Sequence, residues 1–156
     1  MLILFFMLGY IAWCDITKRK IYNNSIVILL LIVFLSKFLF ANDLELNIFF
    51  AAISSLFCYF LFFLVFYILK FMGAGDVKLG AVLAFFFGMQ DFFVVWLISI
   101  ALALGYVALV KITYMAGWEV LRQKLTFKDV GKKYVPYGAL LCFASMFFIL
   151  KMEDIL

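Results

Sequence analysis

The chain contains no histidine in 156 residues. That absence removes the imidazole base of Ser-His and Cys-His hydrolases, the His-Glu-x-x-His zinc proteases and haem held by histidine. Cysteine is sparse and scattered: Cys14, Cys58 and Cys142 form no Cys-x-x-Cys pair and are an odd number for a disulfide framework. They read as small apolar packing residues, and neither a metal site nor a cofactor is expected. Charged residues make up only 14% of the chain. What remains is apolar, 70% hydrophobic and 21% aromatic, against about 45–50% apolar in soluble domains. No strand-like alternation offers a barrel. The apolar stretches are therefore expected to be helices, which satisfy their own backbone groups in lipid.

Those stretches run approximately Leu2–Cys14, Ile26–Ala41, Ile48–Leu69, Val77–Met89, Phe92–Tyr114 and Val135–Leu150. A span takes about 20 residues, so six of them use most of the chain. The expected fold is all-α: one polytopic membrane domain over residues 1–156, with six transmembrane helices. The first and fourth stretches are short and each has an aspartate at its polar end. They are expected to continue a turn past the hydrocarbon or to sit in a thinned bilayer. Eleven of the thirteen basic residues fall in or beside the first, third and fifth breaks; only Lys37 and Lys151 fall on the other side. The positive-inside rule then places those breaks in the cytoplasm and both termini outside. No basic residue precedes the first apolar run, which suits a retained anchor better than a cleaved signal peptide. Gly80, Ala84 and Gly88 recur every four residues, a small-residue face expected to admit a neighbouring helix.

Two aspartates carry the chemistry. Asp15 stands where the first span meets its basic break, and Asp76 stands where the fourth span begins. Two crossings separate them, so they share a membrane face whichever way the protein is inserted. A carboxylate so close to hydrocarbon raises a functional hypothesis by default. Simpler roles exist for each: Asp15 could pair with Arg19 at i,i+4, and Asp76 could cap a helix after a glycine turn. Together those roles weaken, because no other acid sits so deep on that side. Glu119 and Asp129 read as solvated loop charge, and Asp43, Glu45, Asp91, Glu153 and Asp154 as outer-face polar residues. Ahead of Asp76 stand Gly73 and Gly75, which allow close backbone approach and positive φ.

The run Gly73-Ala74-Gly75-Asp76-Val77-Lys78-Leu79 resembles the Gly-x-Gly-Asp signature of the type IV prepilin peptidases, membrane aspartic proteases of the bacterial inner membrane. Asp15-Ile16-Thr17-Lys18-Arg19-Lys20-Ile21-Tyr22-Asn23 is similar to their first aspartate motif, with Tyr22 where the family usually has proline. Val135-Pro136-Tyr137-Gly138 is similar to the Pro-Tyr-Gly that opens their last span. The resemblance implies a catalytic pair, Asp15 and Asp76, supported by Gly73, Gly75 and Lys78. It implies a prepilin or pseudopilin precursor as substrate, cut where a short basic leader meets an apolar helix. The active site would face the cytoplasm. In size the chain is most similar to the small peptidases of tight-adherence pili and to archaeal preflagellin peptidases. It has no cytoplasmic domain with two Cys-x-x-Cys pairs, so N-methylation is not expected.

Aspartyl hydrolysis needs two carboxyl groups sharing one proton, one taking a proton from water and the other donating to the scissile carbonyl. The basic breaks are expected to serve topology and contact with anionic lipid; no nucleic-acid partner is expected. Other classes are a proton-coupled transporter, a non-catalytic membrane subunit, or a Ser-Lys dyad such as Ser25 with a loop lysine. Transporter sites lie near the midplane, unlike these helix-end aspartates, and nothing in the sequence would lower that lysine's pKa. In a presenilin-like protease the partner aspartate would sit mid-helix, unlike Asp15 beside three basic residues.

Overall fold

The computed structural model describes residues 2–39, 46–70, 72–115 and 135–153. They form six helices: α1 (Leu2–Lys18), α2 (Asn23–Leu39), α3 (Leu46–Ile68), α4 (Ala74–Phe87), α5 (Met89–Met115) and α6 (Tyr137–Glu153). No strand occurs among the described residues. Asp43, Glu45, Glu119, Arg122, Lys124, Lys128, Asp129, Lys132, Lys133 and Asp154 lie outside them.

The helices are apolar nearly all the way round, as suits a lipid-facing bundle rather than a surface helix with one greasy stripe. Ile3, Phe6, Trp13, Phe38, Phe57 and Leu104 all point outward. Among the described residues, the two segments long and apolar enough to cross a membrane are Phe50–Ile68 in α3 and Met89–Ile112 in α5; Asn23–Phe38 and Tyr137–Lys151 are shorter apolar helices. At 14 residues, α4 is only about 21 Å long. It is the central helix, packed on α2, α3, α5 and α6, and Val77 and every residue from Leu79 to Phe85 are buried.

Two packing devices fix α4. The Phe63 ring of α3 lies over Gly80, so close that a Cβ there would meet its Cε2 at 2.5 Å. Ser55 Oγ, buried on α3, donates to Ala84 O at 2.8 Å. An aromatic cluster continues the contact to α5: Tyr59 meets Phe92 edge-on at 4.7 Å between centroids, and Phe62 meets Trp96 at 5.3 Å. Gly80 thus makes room for a ring rather than for a neighbouring backbone.

The small-residue face also ends differently from the expectation. Gly88 has nothing within 4 Å of a Cβ position; its φ of 86° makes it the turn between α4 and α5. Its N–H donates to Ala84 O at 2.9 Å, closing α4, and α5 begins at the next residue. The break therefore comes at Gly88, not at Gln90–Asp91. Asp91 sits in the first turn of α5, where the helix dipole favours an acid.

Candidate active site

Asp15 lies in the last turn of α1 and is 7% exposed. Its Oδ2 accepts the Ala139 N–H at 2.8 Å. Ala139 is in the first turn of α6, where backbone N–H groups lack intrahelical partners. The carboxylate supplies one and sits at the positive end of the α6 dipole. Just beyond, α1 stops: Arg19 takes φ 50° and donates its N–H to Asp15 O at 2.9 Å. Arginine thereby fills a left-handed cap more often given to glycine.

Asp76 lies in the first turn of α4, three residues after the N-cap Gly73, rather than at the cap itself. Its Oδ2 accepts the Gly73 N–H at 3.3 Å. Gly73 has φ −76° and ψ 150°, ordinary extended backbone. The glycine is there for closeness: a Cβ would stand 3.2 Å from that Oδ2. At Gly75 a Cβ would meet Ile21 Cβ at 3.0 Å, so this position presses the α3–α4 turn against the α1–α2 turn. Lys78 Nζ donates to Asn23 Oδ1 at 3.0 Å and fastens the start of α2 to α4. Of the three supporting residues expected from sequence, Gly73 lines the cavity with the carboxylates, whereas Gly75 and Lys78 lock the flanking turns together.

The two aspartates converge at the first turn of α6. The helices that carry them both pack on α2 and α6. A Cβ on buried Gly138 would meet Asp76 Oδ1 at 2.9 Å, Asp15 Oδ2 at 3.1 Å and Ile21 Cδ1 at 2.5 Å. Two oxygens so close to one point are at most about 6 Å apart, within the range where like charges perturb each other's protonation.

Both carboxyls lie beyond the apolar runs of their helices. Burial pushes each above the usual carboxylate range. Asp76 rises to about 7, through burial first and the Asp15 charge second, against the Gly73 and Gly138 amides. For Asp15 the opposing groups are the Ala139 amide, Arg19 and the Gly138 amide. The pair titrates as a unit that holds a proton more tightly than an isolated aspartate does. One carboxyl can then act as acid while the other acts as base.

The pair lines a cavity of about 1060 Å³ between the C-terminal end of α3, the middle of α5 and the start of α6. Phe63, Phe66, Trp96, Ile100, Leu104 and Val107 give it apolar walls; Arg19 and Lys70 stand among its lining cations. Among the described residues no cluster of three His, Cys, Asp or Glu could hold a metal ion.

A sequence model of the type IV leader peptidase family matches residues 2–108. The chain belongs to the type IV leader peptidase family. Neither comparison with curated proteins nor comparison with solved structures finds a match. Family membership makes it a leader peptidase-like protease, and both aspartates fall within the matched residues. The first turn of α6 falls outside them. Gly138, Ala139 and Tyr137 were not among the site residues expected from sequence, although the Val135–Gly138 motif was the signal that could have found them. In this leader peptidase family chain the motif supplies the surface on which the carboxylates meet.

Proposed function

We propose that this chain is a membrane-embedded aspartic endopeptidase that uses Asp15 and Asp76 to cleave the leader from type IV pilin-like precursors. The observation that carries the reading is the convergence of two aspartates from separate motifs on one small-residue turn lining a cavity, in a leader peptidase family chain. A water held between the carboxyls is the nucleophile. Asp15, as carboxylate, takes a proton from it while the oxygen attacks the scissile carbonyl carbon, and Asp76 gives its proton to the carbonyl oxygen. The tetrahedral diol collapses as its proton returns to Asp76 and the proton on Asp15 passes to the leaving amine. The C–N bond breaks, and the pair regains its single shared proton.

The aromatic and aliphatic walls of the cavity suit the apolar helix of such a precursor, and the two carboxyls suit its basic leader. In this reading residues 1–156 are one membrane domain with six spans and both termini outside, and the pair faces the cytoplasm at the inner membrane. Short α1 and α4 cross as parts of the bundle, with α4 shielded by its four neighbours. N-methylation is not part of the proposal. Incubation of purified protein with candidate prepilins and intact-mass analysis of the products tests it. Two fragments joined at the leader boundary support the reading; intact precursors across pilin and pseudopilin candidates reject it.

A further inference from the structure

The dyad depends on the position of the α6 first turn, and that turn is held from outside the dyad. Ser99, on α5, is fully buried in the apolar run Phe92–Leu104 of that helix. Its Oγ donates to Trp96 O at 2.7 Å, the same own-turn bond that Ser36 and Ser54 make to Val33 O and Ala51 O. Ser99 differs from Ser36 and Ser54 in a contact to another helix: its Oγ lies 3.0 Å from the Tyr137 hydroxyl. With the serine proton directed at Trp96 O, the tyrosine is the donor. Tyr137 is the first residue of α6 and directly precedes Gly138 and Ala139.

The backbone ahead of Tyr137 is also constrained. Pro136 fixes its own φ, and Tyr137 N–H donates to Val135 O at 2.8 Å across it. The segment therefore enters α6 as a stiff turn anchored on α5 by the Tyr137 hydroxyl, which meets Ser99 and also the Trp96 side chain. What that anchor holds is finely placed. The Ala139 N–H to Asp15 Oδ2 distance is 2.8 Å, and a hydrogen bond weakens steeply once such a distance grows beyond about 3.2 Å. Gly138 has no side chain of its own to keep register.

We infer that Ser99 and Tyr137 are positioning residues for the dyad: their hydrogen bond pins the first turn of α6 to α5 and so fixes Asp15 relative to Asp76. The inference rests on the proteolytic reading for its functional meaning, but the positioning has a readout of its own. Losing the pin loosens the Ala139 N–H from the Asp15 carboxylate, which removes a stabiliser of the charged form and raises the pH at which Asp15 titrates. The groups around Asp15 are Arg19 just past its own helix, Asp76 on α4, Gly138, Ala139 and Cys142 on α6, and Lys70 in the lining of the same cavity. Ser99→Ala and Tyr137→Phe leave all of these in place.

The test uses the full chain in detergent, labelled with ¹³C-aspartate and carrying Asp76→Asn to remove coupling. The infrared band of Asp15 is identified by its loss in Asp15→Asn. Ser99→Ala and Tyr137→Phe should each move its midpoint upward by about half a pH unit or more, and the double variant no further than Tyr137→Phe, which already removes the contacts to both Ser99 and Trp96. In chains that keep Asp76, each substitution should lower kcat about tenfold with KM nearly unchanged, as a misplaced catalytic group does. An Asp15 midpoint unmoved by both substitutions overturns the inference, even if activity falls. A shifted midpoint in a protein whose wild type cleaves no prepilin would uphold the pin and reject the protease reading.

Discussion

Gly138 is where three side chains crowd one missing Cβ. A methyl group there would press on Asp76 Oδ1, Asp15 Oδ2 and Ile21 Cδ1 together. Ile21 can swing its terminal carbon aside, but the carboxyls cannot both yield without leaving their amide donors. Gly138→Ala is expected to reduce cleavage by about a hundredfold, the scale of an ångström's misplacement, in protein that still folds in detergent. Activity near wild type in that variant would mean the turn does not gauge the dyad. Asp76 gives a second expectation, in stability rather than rate. Its folded pKa is raised to about 7, whereas an unfolded aspartate titrates near about 3.9. The folded state therefore holds a proton that the unfolded state releases, and stability is lost as pH climbs through that window. Asp76→Asn never ionises, so its advantage in melting midpoint over wild type should be larger at pH 8 than at pH 5. A difference independent of pH would contradict the raised value. The aspartates themselves were legible because span parity alone put them on one face. Gly138 was not, because its role arises only when α1 and α4 both lean on α6.

At the scale of the helix, α4 shows which local signals survive folding. Its start was legible from Gly73-Ala74-Gly75-Asp76, although these glycines keep backbone and neighbours close instead of adopting positive φ. Its end was misplaced because Gln90 and Asp91 look like a polar break. An acid in a first helical turn is favourable, and the residue that cannot continue the helix is Gly88 at φ 86°. Lys78 looked like a site residue by proximity in sequence; two positions along a helix turn it away, onto Asn23. Gly80 kept its importance with a changed cause. Gly80→Ala should force the Phe63 ring off its seat and cost about 1–3 kcal/mol, as overpacking of a close-fitted core does. Thermal melting of the purified variant checks this, and an unchanged midpoint would show that the ring moves freely. Gly80→Leu should be worse and should impair activity through α4, which carries Asp76.

Across the whole molecule, the apolar exterior and the helical class followed from composition, since a chain so rich in Phe, Leu and Ile has few polar groups to face water. The path of the chain through a bilayer is read from charge placement. In a chain with Cys14, Cys58 and Cys142 replaced, Lys20→Cys should react with an impermeant maleimide only from the cytoplasmic side and Gln90→Cys only from the outer side. Labelling of both from one side would reject the six-span arrangement. The cavity was not legible at all, because its walls come from α3, α5 and the start of α6, three segments far apart in sequence.

Cleavage of a prepilin by the single and double aspartate variants tests the central claim most directly. Asp15→Asn and Asp76→Asn keep shape and part of the hydrogen bonding, so each should fold. If the carboxyls share one proton and one task, each substitution abolishes cleavage and the double variant is no worse, because residues acting as a unit are non-additive. Substantial cleavage by a well-folded Asp76→Asn protein would contradict the account and leave Asp76 as a helix-end residue alone.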